Sequence, residues 1–314
     1  MSTDSIAVPP AAPVVGASGL SDALDAVESF MARFIYWPDE HCGPMAALWA
    51  AHTHVAGVFY HTPRLVVTAL TPESGKTRVL EVLGVLCSEP LRSSSLSAAS
   101  MFAAIEQGGD GVARPTFLMD EVDKSMDTEQ TVILNDGYKA DGVHVRTQFA
   151  PDGTRMIQRF RTFAPVALAG LSDHRLAEDL LTRCIRVGME RKPRGAAVER
   201  FSGNWHRAEG GALRTRLAGA LAPHAGALSI ARPVLPEGLG DRAWDIWEPL
   251  IAIADAAGGA WPDRARAACL HFATGRRRRS EMTLAELLIR DLRTLCDEFA
   301  ATNGSIRFAV RSNE

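Results

Sequence analysis

Residues 64–83 read RLVVTALTPESGKTRVLEVL. The apolar, β-prone run Leu65, Val66 and Val67 gives way to a loop containing Pro72, and Gly75, Lys76 and Thr77 then open a helix carrying Val79, Leu80, Val82 and Leu83. Strand, glycine-bearing loop and helix in this order are the pattern of a phosphate-binding loop. Backbone N–H groups and a helix N-terminus focus a positive field on phosphate, Lys76 adds a point charge, and Thr77 offers a hydroxyl to Mg²⁺. Ser74, Gly75, Lys76, Thr77 and Arg78 are therefore candidate nucleotide-binding residues. Leu70 stands where the pattern GxxxxGK[ST] has its first glycine, a departure that bears on loop geometry and leaves the lysine chemistry in place.

Residues 117–123, FLMDEVD, supply the complementary half. Three apolar residues run into Asp120 and Glu121, as a buried parallel strand does when it delivers two carboxylates to the carboxyl edge of a sheet. In a P-loop enzyme the first acid holds the water shell of Mg²⁺ and the second orients the attacking water. Thr77 and Asp120 are thus the candidate metal residues, Lys76 and Glu121 the candidate catalytic ones, and ATP with Mg²⁺ the expected cofactors.

A chain of 314 residues has room for one large or two ordinary domains, and 46% hydrophobic with 23% charged residues is the balance of a globular protein. The net charge of -3 excludes a global basic field, so nucleic-acid binding must rest on local patches. Cys42, Cys87, Cys184, Cys269 and Cys296 are scattered, with no CxxC pair to suggest zinc or a redox couple. They read as reduced core residues. No signal-peptide pattern and no apolar run of membrane-spanning length is present, so a cytoplasmic protein is expected.

Along the chain, residues 1–20 read as a disordered leader rich in Pro and Ala, after which Ser21 caps a first helix. A second helix over about 45–59 completes an N-terminal helical segment, 21–62. His52 and His54 lie two apart and do not share a helix face, so they read as packing histidines. Residues 63–192 form the core, with Ser93–Ser97 as a strand end or cap and a helix over 98–105. Two alternating runs flank Pro151-Asp152-Gly153, which predicts a β-hairpin. His144, Arg146 and Gln148 fall on one face of its first run, and Arg155, Arg159 and Arg161 on one face of its second. A core strand at 166–168 follows, with Ser172, Asp173 and His174 just past its end. Ser172 is a candidate γ-phosphate sensor. Arg183 and Arg186 flank the next β-like run, either as a solvated edge or as arginines reaching a nucleotide.

The polar, basic segment near 192–195 predicts a boundary, with a helical domain over 193–302 and a tail over 303–314. Helices are expected at 212–221, 241–257 and 263–272, the tryptophans serving as core anchors. Arg276–Arg279 read as a solvated loop, with phosphate contact as the sharper alternative. An amphipathic helix over 283–299 closes the reading. The expected fold class is α/β: a P-loop parallel sheet with helices on both faces, an N-terminal helical pair and a helical lid-like domain.

ALWAAHTHV, TPESGKTRVLEVL, FLMDEVD, FAPVALAGL, TRCIRV and DRAWDIWEPLIAIADAAGGAWPDRAR together cover about residues 47–266. They resemble an actinobacterial, phage and mobile-element family that joins a P-loop core to a helical domain of unknown function. The resemblance implies an AAA+-like or superfamily 3 helicase-like ATPase, a homo-oligomeric ring found beside replication genes. It implies phosphate and Mg²⁺ contacts for Lys76 and Thr77, metal for Asp120 and water for Glu121. By the same resemblance Arg183 stands near an arginine-finger position and Arg242 near a lid position. Its hairpin places Arg146, Arg155, Arg159 and Arg161 against single-stranded DNA in the ring pore. The rival expectation is a nucleotide-dependent regulatory or defence switch acting through protein partners. A degenerate protein that no longer binds nucleotide is a third.

Overall fold

The computed structural model describes residues 17–69, 73–108, 111, 114–122, 126–149, 154–171, 176–280, 288–289, 292–293 and 295–296. Five parallel strands form its central sheet: β1 (Arg64–Thr68), β2 (Pro90–Ser93), β3 (Thr116–Met119), β6 (Val166–Gly170) and β7 (Cys184–Gly188), in the order β2-β3-β6-β1-β7. Leu65, Val66 and Val67 are buried, as are Phe117, Leu118, Ala167 and Leu168. Strands covered on both faces read as continuous apolar runs, which is why these three were legible. The α/β class with a parallel sheet flanked by helices is the observed architecture.

Helices connect the parallel strands: α3 (Lys76–Leu86), α4 (Ala98–Gln107), α5 (Thr128–Asp136) and the single turn α6 (Glu178–Leu181). Ser97 caps α4 by accepting from the Ser100 N–H, and Asp127 forms a capping box with Gln130 at the start of α5. β2 is a full edge strand in register with β3 from Pro90↔Thr116 to Ser93↔Met119. Its half-exposed PLRS sequence lacks the apolar run of the inner strands, so the sequence suggested only a strand end.

Between α5 and β6 stands the hairpin of β4 (Val143–Phe149) and β5 (Arg155–Arg161), a separate antiparallel sheet. The expected turn at 151–153 lies outside the described residues. Two glycines close the hairpin's root. A Cβ on Gly137 would stand 2.7 Å from the Thr162 carbonyl carbon, and one on Gly142 2.8 Å from that of Asp136.

The helices outside the sheet are α1 (Ala17–Phe34), α2 (Cys42–Val55), α7 (Gly203–Leu221), α8 (Ala225–Leu228), α9 (Asp241–Ala257) and α10 (Trp261–Ser280). α1 packs on α2, α7 and α9, and α7 also packs on α2 and α3. The chain up to Leu270 is one compact unit and His271 onward is a second. The composition shift near 192–195 is thus a connector inside the first unit, because the helices beyond it need the apolar faces of α1, α2 and α3 to bury their own. Arg33 fixes the connector from below, pairing with Glu199 at 3.1 Å and Glu209 at 2.5 Å.

Three element boundaries differ from the sequence reading. α1 begins at Ala17, inside the expected leader, so that Leu20 is buried, and Ser21 lies within the helix. α7 begins at Gly203 rather than 212, since packing carries the helix through a glycine-rich start that propensity disfavours. α10 continues through Gly275 and the arginine run to Ser280, arginine being a good helix former. The amphipathic helix expected at 283–299 is described only at three residue pairs, all helical, and the tail from 303 lies outside the described residues. Among the described residues no helix is long and apolar enough to cross a membrane.

Candidate functional site

The site begins where β1 ends. Residues 70–72, including Leu70 and Pro72, lie outside the described residues, and the visible half of the loop turns sharply. Glu73 has φ 63° and Gly75 φ 89°, both in the left-handed region. Left-handed residues in a tight turn are an ingredient of anion-binding nests, in which successive backbone N–H groups point to one side. Gly75 caps α3, which starts at Lys76. Ser74 is buried beneath the loop, Lys76 is half-buried, and Thr77 is exposed. Among the described residues Lys76 has no carboxylate partner, so its charge is available to a ligand.

β3 delivers the carboxylates. The Asp120 N–H donates to the Ser93 carbonyl at 3.1 Å, tying the strand end to its neighbour. The Glu121 N–H then donates to Asp120 Oδ1 at 3.0 Å. Glu121 itself has φ 54°, a conformation that costs a non-glycine residue about 1 kcal/mol or more. The sharp turn has a local effect: Val122 is buried while Glu121 stays exposed.

Lys76, Thr77, Asp120 and Glu121 line one cleft of about 1450 Å³. The cleft continues along α3 past Glu81, Gly84 and Val85, between the edge strand β2 and α7. Arg78 also lines it, but its guanidinium is engaged: Nη1 donates to the Phe201 carbonyl at 2.9 Å and pairs with Glu81 at 3.2 Å. It joins α3 to the entry of α7. Among the described residues no group of three His, Cys, Asp or Glu gathers to hold a metal. A Mg²⁺ ion in a nucleotide site asks for less, one or two protein oxygens with phosphate and water completing the shell. The Thr77 hydroxyl and Asp120 carboxylate on one cleft wall fit that requirement.

The two remaining arginines of the sequence reading lie elsewhere. Arg183 precedes β7, at the amino edge of the sheet, where its carbonyl accepts from the Arg64 N–H at 3.1 Å. Its guanidinium carbon lies 4.9 Å from the Tyr138 ring centroid. Arg242, at the start of α9, is also 4.9 Å from that ring and donates to the Tyr138 hydroxyl. Neither lines the cleft that holds Lys76, Thr77, Asp120 and Glu121. The structure brings the two arginines together on one tyrosine. His61 stacks on the same ring at 5.3 Å; burial pulls its pKa down while Asp245, at 3.5 Å, pulls it up.

The hairpin arginines divide between two faces. The register pairs Arg146 with Gln158 and His144 with Phe160, whereas Val145 faces Arg159 and Val143 faces Arg161. Arg146 turns inward, donating to Glu129 at 2.5 and 2.9 Å and lying 4.9 Å from the Phe102 ring. That position makes it a clamp between the hairpin and α5, not a solvent-facing nucleic-acid contact. Arg155, Arg159 and Arg161 share the outward face with the exposed Val145 and Ile157. Ser172, Asp173 and His174 lie outside the described residues.

The sequence reading missed Arg92, Phe201 and a file of arginines, Arg200, Arg207 and Arg214, all lining the cleft. Their signal was present as a spacing of seven, two helical turns, but it was hidden because the helix had been expected to start at 212.

Residues 188–305 match a family described as a protein of unknown function, DUF3631. A segment of 106 residues is 39% identical to the "Uncharacterized 28.9 kDa protein in xis 5'region" of Saccharopolyspora erythraea, covering 34% of this chain and 40% of that relative. The chain therefore spans well under two thirds of that relative's length.

Proposed function

We propose that this chain is a Mg²⁺-dependent ATPase of AAA+-like type that moves or remodels nucleic acid. The observation that carries the reading is the meeting of Lys76 and Thr77, at the head of α3, with Asp120 and Glu121, at the carboxyl end of β3, on a single cleft. The strand order supports it. β6 stands between the loop strand β1 and the acid strand β3, the arrangement of a multi-stranded P-loop ATPase. The name of the Saccharopolyspora erythraea relative, which puts it in the xis 5′ region, supports a mobile-element setting.

In this reading the nest at residues 73–75 and the α3 N-terminus hold the β and γ phosphates, and Lys76 offsets the charge that develops on the transferring group. Thr77 and Asp120 would hold Mg²⁺, which would supply positive charge to offset that of the phosphates. Glu121 positions the attacking water in this reading, a role that its exposure after a left-handed turn supports. A nucleotide-dependent switch with slow hydrolysis is the second reading, favoured by Leu70 in place of the first loop glycine.

The test is Mg²⁺-dependent ATP hydrolysis and ATP binding by the wild type, Lys76→Ala and Glu121→Gln, with and without single-stranded DNA. We expect DNA-stimulated hydrolysis in the wild type and loss of nucleotide binding in Lys76→Ala. Glu121→Gln keeps binding and loses turnover by about 10²–10⁴-fold. Turnover that DNA does not change moves the function to the switch, and turnover that survives Lys76→Ala rejects both.

A further inference from the structure

The cleft is larger than one nucleotide needs. Small-molecule sites usually enclose about 300–1,000 Å³, and this one reaches about 1450 Å³. Two charge chemistries share it. Lys76 and Thr77 line it with Asp120 and Glu121, and Arg200, Arg207 and Arg214 line the α7 side, a file that starts next to Phe201, whose carbonyl accepts from Arg78, and runs along α3 to where Gly210 meets Val85.

Arg207 and Arg214 lie on one side of α7, two turns or about 10.5 Å apart, and Arg200 continues the file before the helix starts. Arg200 and Arg207 are exposed and, among the described residues, have no hydrogen bond or ion pair. Arg214, deeper in the cleft, likewise has no carboxylate partner, and its charge helps depress the pKa of His54 after burial has done most of it. The carboxylates nearby are already taken. Glu199 and Glu209 pair with Arg33, and Glu81 with Arg78 and Arg92. Gly211 leaves the wall between Arg207 and Arg214 open, whereas the Arg207 guanidinium lies over the backbone of Gly203, 3.6 Å from where a Cβ would stand.

In a chain of net charge -3 this is a local cationic file, not a by-product of a basic protein. Three guanidinia spread along one wall, two of them two helical turns apart, suit phosphates repeated along a chain better than one compact anion. Contacts from guanidinia to phosphates fix a strand's position and carry no sequence information. We infer that the α7 arm of the cleft binds the sugar–phosphate backbone of single-stranded nucleic acid, without sequence readout, immediately beside the site read as nucleotide-binding. The inference rests on the proposed function only in placing the nucleotide at the Lys76 end. It assigns the strand a second contact surface, distinct from the outward face of the hairpin.

The experiment uses the full chain and a fluorescein-labelled oligothymidylate, with anisotropy read over a range of salt without nucleotide or Mg²⁺. The double variant Arg200→Ala/Arg207→Ala is compared with wild type, with Arg159→Ala of the hairpin, and with Arg200→Lys/Arg207→Lys. Both arginines are exposed and, among the described residues, unpaired, so the alanine variant is expected to melt with the wild type. We expect it to bind about tenfold more weakly at low salt, with the salt slope reduced by about 1.4, the value for two lost contacts on a single strand. The lysine variant should recover most of the affinity, because a backbone phosphate needs charge more than a planar fork.

Unchanged affinity and slope in the alanine variant would overturn the assignment, as would a loss seen only with Arg159→Ala. Displacement of the oligonucleotide by equimolar ATP would also overturn it, by showing that the arm belongs to the nucleotide. The two readings fail separately. A wild type that binds oligonucleotide through Arg200 and Arg207 but never hydrolyses ATP sinks the ATPase and leaves the strand site. An ATPase indifferent to the two arginines does the reverse.

Discussion

Gly210 of α7 lies so tightly over α3 that an added Cβ would stand 2.7 Å from Val85 Cβ. Real Cβ atoms do not approach so closely, so a glycine at this point sets the distance between the two helices that wall the cleft. Gly210→Ala gains about 1 kcal/mol of helix propensity. Overpacking of a well-filled contact costs about 1–3 kcal/mol. The clash is expected to win, lowering the midpoint of thermal unfolding by several degrees. A variant that melts at or above the wild-type temperature would show that α7 can shift freely on α3.

Arg183 and Lys76 lie at opposite edges of one sheet, separated by the length of a strand, about 16 Å for five residues. A chain therefore cannot present Arg183 to its own Lys76. If Arg183 serves catalysis, it serves a neighbour. Arg183→Ala is expected to lose turnover by about 10³-fold or more while keeping nucleotide affinity. Mixing Arg183→Ala with Lys76→Ala chains should restore part of the activity, since some interfaces then join an intact loop to an intact arginine. Two inactive variants that stay inactive on mixing, while still assembling, would reject the role.

The split between hairpin faces separates stability from binding. Arg146→Ala removes the Glu129 ion pair and the contact with Phe102, and about 1 kcal/mol of stability goes with them. Arg159→Ala is expected to leave the melting temperature unchanged and to weaken oligonucleotide binding instead. Thermal unfolding alongside anisotropy decides it. A destabilised Arg159→Ala, or a neutral Arg146→Ala, would mean that the inward and outward assignments are reversed.

His52 is buried at the contact between α2 and the sheet, with Nε2 3.0 Å from Thr62 Oγ1. Burial, assisted by the nearby charge of Arg64, lowers its pKa to about 3. His54 is also lowered, chiefly by burial and against a hydrogen bond with the Leu86 carbonyl. Between the ordinary value near 6.5 and the folded value, the unfolded chain holds a proton that the folded chain does not. Stability contributed by His52 is therefore complete above about pH 6.5 and is lost as pH falls toward 3, on the order of 4 kcal/mol in all. Denaturant unfolding from pH 7 to 4 should show this acid limb, and His52→Gln should flatten it. An unchanged limb would place the titration elsewhere.

The inner strands and α3 were legible because burial on both faces and a helix-opening lysine leave local signatures in Leu65, Val66, Val67 and Gly75. The hairpin was legible from alternation alone, but alternation cannot say which face turns inward. Only the packing of Phe160 and His144 on Phe102 fixes Arg146 beneath and Arg159 above. The start of α7 was hidden for the opposite reason, since Gly203, Gly210 and Gly211 weaken local preference and tertiary contact supplies the order. Arg183 and Arg242 meet on Tyr138 through three separate segments, and no local pattern encodes such a meeting.

The glycine-closed root of the hairpin has a mechanical consequence. With Gly137 against the Thr162 backbone and Gly142 against that of Asp136, the base has no slack in which to bend. Arg64, buried and without a carboxylate, bolts the same region by donating to the Leu134 and Ala164 carbonyls. A load on the hairpin tip is then delivered as a lever delivers it, through α5 on one side and β6 on the other. Those are the element that follows β3, whose end carries Asp120 and Glu121, and the strand that lies between β3 and β1.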